Sequence, residues 1–350
     1  MPMKLLRHSD KIREMLAGTT VFPISIELDL SNKCNHNCSW CNYNGFRQEN
    51  WKSFDDARIL SLLSELAEVG VKSITFTGGG EPLVHHRAAD IFRHCAALGM
   101  QFGVVTNGRR MEGEAAEVIA KHATFVRVSL DAGTTQTHQL LHATPMPEYT
   151  LILKNIAQVV ALAKDRTPPL TVGASFCVFD VNLGEISRAA ERLKAIGASY
   201  LEVRPVFATE WRGGGFSNPL TGEHIAQAQT NLQAAKDTYD GDGFRVIGMV
   251  QRFDQVSETT KPFSKCRIGP LTTVINADGF IYHCCQTRGL PAFRAGSVLD
   301  TPFKEVWWNA QHRAMVDAID VEKCPPCRYS GYLEIIEQAF LADGMHANFI

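Results

Sequence analysis

The sequence lacks any long hydrophobic run. No apolar stretch reaches the ~18 residues that would span a bilayer, so a membrane-embedded chain is not expected. Met1 to Thr20 carries Lys4, Arg7, Asp10, Lys11, Arg13 and Glu14 and has no apolar core of an export signal. An excess of charge of one sign is also missing. Charged residues make up 21% of the 350 and the net charge is −2, which gives no electrostatic reason to expect nucleic acid or a membrane surface as partner. There is no low-complexity segment and no repeat beyond an alternating strand–helix beat. Ten cysteines without an export signal point to thiols or metal ligands in a reducing cytoplasm, not to disulfides. The first cysteine group lacks a fourth member. Cys34, Cys38 and Cys41 fall within eight residues as C-x3-C-x2-C, one thiolate short of a tetrahedral structural zinc or a four-iron cluster. An open fourth position is where a substrate or cofactor binds a metal, so a reactive site is expected.

What is present is a regular α/β chain. A short helix around Asp10–Ala17 precedes Ile24–Leu30, whose alternation of apolar and polar residues predicts a first strand. The cysteine loop follows at its carboxyl end. Ser53 reads as the N-cap of a helix whose buried stripe is Leu60, Leu63, Leu66 and Ala67, ended by Gly70. The beat continues through strand 73–77, helix 86–98, strand 101–106, helix 112–121, strand 124–130, helix 150–164, strand 170–179, helix 183–196 and strand 200–206. Six strands alternating with helices call for parallel pairing through right-handed crossovers. The unusual residues cluster at the carboxyl ends of these strands, where (β/α) barrels carry their sites. The expected fold is therefore α/β, a partial (β/α)6 TIM-like barrel.

From about Gly213 the rhythm breaks. A helix over 222–238 and a strand over 244–250 lead to a second cysteine set: Cys266, the pair Cys284 and Cys285, then Cys324 and Cys327. Between them, 271–276 and 280–283 read as a β-hairpin turning at Ala277-Asp278-Gly279. Thr301-Pro302 opens a helix through Val306, Trp307 and Met315. The expected divisions are an N-terminal helical segment over 1–20, a core barrel over 21–212, a linking helix and strand over 213–260, and a cysteine-rich unit over 261–350.

With Cys34, Cys38 and Cys41 in place, and Trp40 before the third, the sequence resembles the radical S-adenosylmethionine (SAM) superfamily, whose signature is C-x3-C-x-Φ-C with Φ aromatic. The resemblance implies a [4Fe–4S] cluster on those three thiolates, with SAM on the open iron and Trp40 beside its adenine. Gly79-Gly80-Glu81-Pro82 after the second strand resembles the family's GGE element, whose backbone receives the SAM amino group. By position, Thr106, Asn107 and Ser129 are the polar groups expected at the SAM ribose and carboxylate. Asp131, in a turn that needs no ligand, is a weaker match. The alternative reading of the loop is a zinc knuckle with His36 as fourth ligand.

The C-terminal set resembles the C-x9–15-G-x4-C opening of SPASM and twitch extensions: twelve residues separate Cys266 from Gly279 and four separate Gly279 from Cys284. No cysteine follows Cys327, which implies the shorter twitch type. Its one auxiliary [4Fe–4S] cluster is expected on Cys266, Cys284, Cys324 and Cys327. Cys285 competes with Cys284, and a structural zinc on the same four thiolates is the alternative occupant. Cys95 and Cys177 read as core thiols. Arg204, ending the sixth strand, is the candidate for SAM carboxylate binding, substrate positioning or proton transfer. Tyr282, His283, Trp211 and Arg212 are further candidates to line a substrate cavity.

The resemblance implies an enzyme that cleaves SAM reductively to a 5′-deoxyadenosyl radical and abstracts hydrogen from substrate. An external electron donor of flavodoxin or ferredoxin type is the implied partner. Similar twitch enzymes include aminocyclitol dehydrogenases and sugar epimerases of natural-product pathways. Only 33 residues precede Cys34, short of the leader-binding domain that peptide-modifying members often carry. The expected substrate is thus a small polar molecule: an aminocyclitol, sugar or nucleoside that is dehydrogenated or epimerised. A peptide-modifying enzyme is the first alternative, and a redox-inert zinc protein the distant one.

Overall fold

The computed structural model describes residues 2–206, 220–248 and 261–341. Helix α1 (Ser9–Leu16) precedes β1 (Ser25–Asp29). Then α2 (Asn44–Glu49) and α3 (Asp56–Glu68) lead to β2 (Ser73–Thr77), and α4 (Ala88–Ala97) leads to β3 (Gln101–Thr106). Next, α5 (Gly113–His122) leads to β4 (Phe125–Ser129), and α6 (Thr135–His142) with α7 (Glu148–Leu162) leads to β5 (Thr171–Val178). After these, α8 (Ile186–Ala195) leads to β6 (Tyr200–Pro205), and α9 (Gly222–Tyr239) to β7 (Arg245–Ile247). Hairpin β8 (Thr272–Ile275) and β9 (Phe280–Tyr282) is followed by β10 (Arg294–Ser297), α10 (Phe303–Val306), α11 (Ala310–Asp317) and α12 (Ser330–Ile336).

Among the described residues, ten strands form one sheet in the order β10-β9-β8-β1-β2-β3-β4-β5-β6-β7. The run from β8 to β7 is parallel, and β9 and β10 add antiparallel. The six expected barrel strands are therefore flanked on both sides. β7 extends the parallel run beyond β6, and the hairpin joins it beside β1 through Ser25↔Thr272 to Leu28↔Ile275.

Strand periodicity sorts the side chains. Ile26 and Leu28, Ile74 and Phe76, Val126 and Val128, and Leu201 and Val203 face the helices and share one core with Ile59, Leu62, Leu63 and Leu66 of α3 and Phe92 of α4. Phe92 sits 4.7 Å from Phe76 and 5.3 Å from Phe102 between ring centroids. The alternate positions, Glu27 and Asp29, Arg127 and Ser129, and Glu202 and Arg204, are left to line the inside of the barrel. A second core joins the N-terminal Leu5 and Ile12 to Phe263, Ile268, Leu271, Val321, Leu333 and Ile336. The first residues of the chain are thus packed into the cysteine-rich region.

Two local expectations are corrected and one helix is added. The cap of α3 is Asp55, whose carboxylate accepts from Ala57 N and Arg58 N, whereas Ser53 Oγ lies 2.7 Å from Ser31 Oγ. Helix α6, capped by Thr134, is an addition in a stretch, flanked by Ala-Gly-Thr and Pro-Met-Pro, to which the sequence pattern assigns no element. The single helix expected through Trp307 to Met315 is two: Trp308 takes φ 53°, and Asn309 caps a new helix by accepting from His312 N.

Candidate functional site

The cysteine loop leaves β1 and is pinned by its own backbone. Asn32 N donates to Lys52 O at 2.8 Å, and Arg47 Nη1 donates to His36 O at 3.0 Å. Cys34, Cys38 and Cys41 line one cavity of about 140 Å³. Its wall also contains Trp40, Gly79, Gly80, Glu81, Thr106, Asn107 and Ser129. The barrel residues singled out for a cluster or SAM, Arg204 and Asp131 excepted, are therefore gathered at the carboxyl ends of β1 to β4. Arg204 lies outside that lining, beside Cys177 with Glu202 and Asp131 nearby. Cys177, and after it Glu202, favours its charged form. Trp211 and Arg212 lie outside the described residues.

The glycine element has a second role. A Cβ on Gly80 would lie 2.3 Å from Lys33 O and 2.6 Å from Ser31 O, so a glycine here lets the end of β2 touch the cysteine loop. Glu81 N donates to Lys33 O at 2.8 Å and closes that contact. The buried Glu81 carboxylate accepts from Thr106 Oγ1 at 2.6 Å, Asn107 N at 2.7 Å and Leu83 N at 3.0 Å, clamping the ends of β2 and β3 together. Burial raises its pKa against these bonds. Asn107 Nδ2 reaches Asn35 Oδ1 at 2.8 Å, tying β3 to the loop as well.

The site also contains residues that sequence reasoning passed over. Tyr43, Arg47 and His142 line the same cavity. His142 sits with His36 and His138 in a buried imidazole group, and His142 Nδ1 is 3.2 Å from Cys38 Sγ. Without α6 nothing in the sequence placed His142 near the loop. His36 Nε2 is 2.7 Å from Glu148 Oε1, and burial lowers its pKa to about 4.

The second thiol set also converges. Cys266 Sγ lies 3.1 Å from His283 Nε2. Burial, and after it the nearby Cys327 and Cys324, push the Cys266 thiol up to about 12, and burial, then Cys285 and Cys266, pushes Cys284 well above its usual value. Tyr282 is fully buried, with its hydroxyl donated to Asp278 Oδ2 at 2.7 Å, and His283 is buried against Cys266. These two residues build the hairpin rather than line a cavity.

An ionic network spans the gap between the two thiol sets. Arg288 Nη2 bonds Glu27 Oε2 at 2.9 Å, its Nε is 2.7 Å from Asp29 Oδ2, and its Nη1 donates to Tyr43 Oη at 2.9 Å. Arg328, next to Cys327, bonds Glu27 Oε1 at 2.7 Å, and Tyr43 Oη donates to Cys285 O at 3.1 Å. Burial pushes Glu27 up, but Arg328 and Arg288 outweigh it and hold the carboxyl below its usual range.

A family model for the radical SAM superfamily matches residues 28–193, and one for SPASM, an iron–sulfur cluster-binding domain, matches residues 266–329. The chain belongs to the radical SAM superfamily. Among curated relatives, the AdoMet-dependent heme synthase of Methanosarcina barkeri is 24% identical over 90% of this chain and 91% of its own length. The sporulation killing factor maturation protein SkfB of Bacillus subtilis is 24% identical over 81% of this chain, which spans 64% of that protein. Among solved structures, Streptococcus suis SuiB bound to S-adenosylmethionine superposes with a TM-score of 0.68 at 13% identity, over 96% of this chain and 80% of that one. That likeness is one of fold.

The donor set of this radical SAM enzyme fits a cluster. Burial, with Glu81 added, pushes the Cys34 thiol up to about 11, and burial and the neighbouring thiols push Cys38 well above its usual value. Without a cation these thiols hold their protons; a bound metal reverses that balance. The buried Trp40 Nε1 has no hydrogen-bond partner, a donor left over at the wall of the cavity. Among the described residues no helix is long and apolar enough to cross a membrane.

Proposed function

We propose that this radical SAM enzyme abstracts hydrogen from a small polar substrate, dehydrogenating or epimerising an aminocyclitol, sugar or nucleoside. Bound at Cys34, Cys38 and Cys41, the cluster with SAM supplies a 5′-deoxyadenosyl radical. The chain's own residues orient and enclose. Gly79 and Gly80 bring backbone to the cofactor amino group, Thr106, Asn107 and Ser129 supply its polar wall, and Trp40 flanks its adenine. Cys266, Cys284, Cys324 and Cys327 would hold one auxiliary [4Fe–4S] cluster, which would supply a one-electron acceptor for a substrate radical that is oxidised or a one-electron donor for one that is reduced. An external flavodoxin- or ferredoxin-type donor feeds the first centre.

The observation that carries the polar substrate is the charged inner face of the barrel. Arg127 and Glu202 pair at 3.0 Å two residues below Ser129 and Arg204, and the buried Ser175 Oγ on the strand between them has no partner. Such a lining is costly for an apolar guest, since polar groups deprived of water need a bonding partner. Arg204 is the residue best placed there to position substrate. The experiment is anaerobic incubation of reconstituted enzyme with SAM, reductant and deuterated candidates, reading deuterium in 5′-deoxyadenosine. Transfer from an aminocyclitol, sugar or nucleoside is the expected result. Transfer only from a deuterated peptide overturns it in favour of the peptide-modifying reading, which the likeness to SkfB supports.

A further inference from the structure

The end of α6 is fastened directly to the cysteine loop. Asn37 N donates to His142 O at 3.2 Å, and Ser39 N donates to Leu141 O at 3.4 Å. Ala143 then turns away in the left-handed region at φ 50°, which frees the last carbonyls of the helix for those two loop amides. Two backbone bonds therefore flank Cys38 on either side. They set the His142 ring against the sulfur at 3.2 Å, with 1% of its side chain exposed. The ring cannot easily turn away. His138 stacks on it at 4.4 Å and 24°, and Trp40 meets it edge-on at 5.9 Å.

We propose that His142 is a positioning residue that donates an Nδ1–H hydrogen bond to Cys38 Sγ and holds the cluster at a less negative reduction potential. A thiolate bound to iron has no proton and only accepts, so the proton on this edge belongs to the imidazole. No hydrogen bond on the opposite edge claims that proton, since neither Nε2 nor the Asp131 Oδ2 it faces has a hydrogen-bond partner. Nε2 faces Asp131 Oδ2 at 3.4 Å, while Asp131 Oδ1 is occupied by Cys177 N at 2.7 Å. A donor on a ligand sulfur stabilises the electron-rich reduced cluster more than the oxidised one, which raises the potential. Electron delivery from an external donor is thereby eased.

The inference rests on the cluster assignment at Cys34, Cys38 and Cys41, and iron analysis of the wild-type protein tests that assignment separately. The test proper is an EPR-monitored redox titration of reconstituted enzyme without substrate, with the loop cluster identified by its response to SAM. His142→Phe keeps a ring but removes the donor, and its potential is expected to shift to more negative values. His142→Gln keeps an N–H and is expected to stay closer to the wild type. An unshifted potential in a fully loaded His142→Phe protein overturns the proposal. Should that variant fail to hold iron, pulsed EPR of wild-type enzyme carrying 15N-histidine decides. A weak nitrogen coupling to the SAM-responsive signal is the expected result, and no coupling overturns the proposal. Since His36, Cys38 and His142 present ligand atoms within 4.8 Å of one another, a strong coupling of directly coordinated nitrogen also overturns it.

Discussion

Gly80 carries more of the site than its size suggests. Its missing Cβ is what allows the end of β2 to touch the backbone of Ser31 to Lys33, and backbone cannot give way as a flexible side chain does. Gly80→Ala is expected to cost about 1–3 kcal/mol, the usual range for overpacking, and to lower the iron retained after reconstitution. Urea denaturation and iron analysis check the two parts. Asp131 argues a pH effect at the same scale. Burial raises its carboxyl to about 6 from an unfolded value near 3.8, so between those values the folded chain binds more protons than the unfolded one. Stability therefore falls as pH rises from about 4 to 6, by up to about 3 kcal/mol from this group. Asp131→Asn is expected to remove that part of the slope. Denaturation midpoints of the metal-free wild type and variant at pH 4.5 and 7 measure it. The chemistry at this scale was legible where one residue type does one thing, as with three thiols in a short loop. It was not legible for Glu81, whose carboxylate turns out to bond Thr106 and Asn107, because no spacing rule says which way a side chain at a strand end will face.

At the scale of elements, hydrophobic period located most of the barrel, since strands such as β3 and β6 are bounded by sharp turn residues that leave little choice of register. It failed where local signals conflict. Ser53 and Asp55 both suit an N-cap, and the decision went to Asp55, whose carboxylate reaches two free amides of α3. Asp55→Ala is expected to cost about 0.5–2 kcal/mol, read as a shift in denaturation midpoint. α6 was hidden because its short sequence, with three polar residues in its first turn, lacks a long apolar stripe; its stability comes from the cap at Thr134 and from docking on the cysteine loop. The break at Trp308 is tertiary in origin. Trp307 is fixed by donating Nε1–H to Val21 O at 2.8 Å, and the chain reverses after it.

Across the whole molecule, two thiol sets far apart in sequence are tied by one group of buried charges. Arg288 and Arg328 come from the cysteine-rich region and Glu27 and Asp29 from the first barrel strand, so the network exists only when both regions are docked. A sequence shows each of these residues but not the pairing, since β1 meets the hairpin through more than 240 intervening residues. Removing one cation leaves carboxylates buried without a partner, which is costlier than replacing the whole group. Arg288→Ala is accordingly expected to cost about 3–5 kcal/mol and to loosen the hairpin from β1, read by hydrogen exchange at residues 272–275. Replacing Cys34, Cys38 and Cys41 by alanine touches none of these charges. That triple variant is expected to lose SAM cleavage while keeping about four of about eight irons, the content of one [4Fe–4S] cluster out of two. If the variant keeps no iron, the C-terminal thiols do not form a second centre; if it still cleaves SAM, the reactive centre does not lie at the cysteine loop.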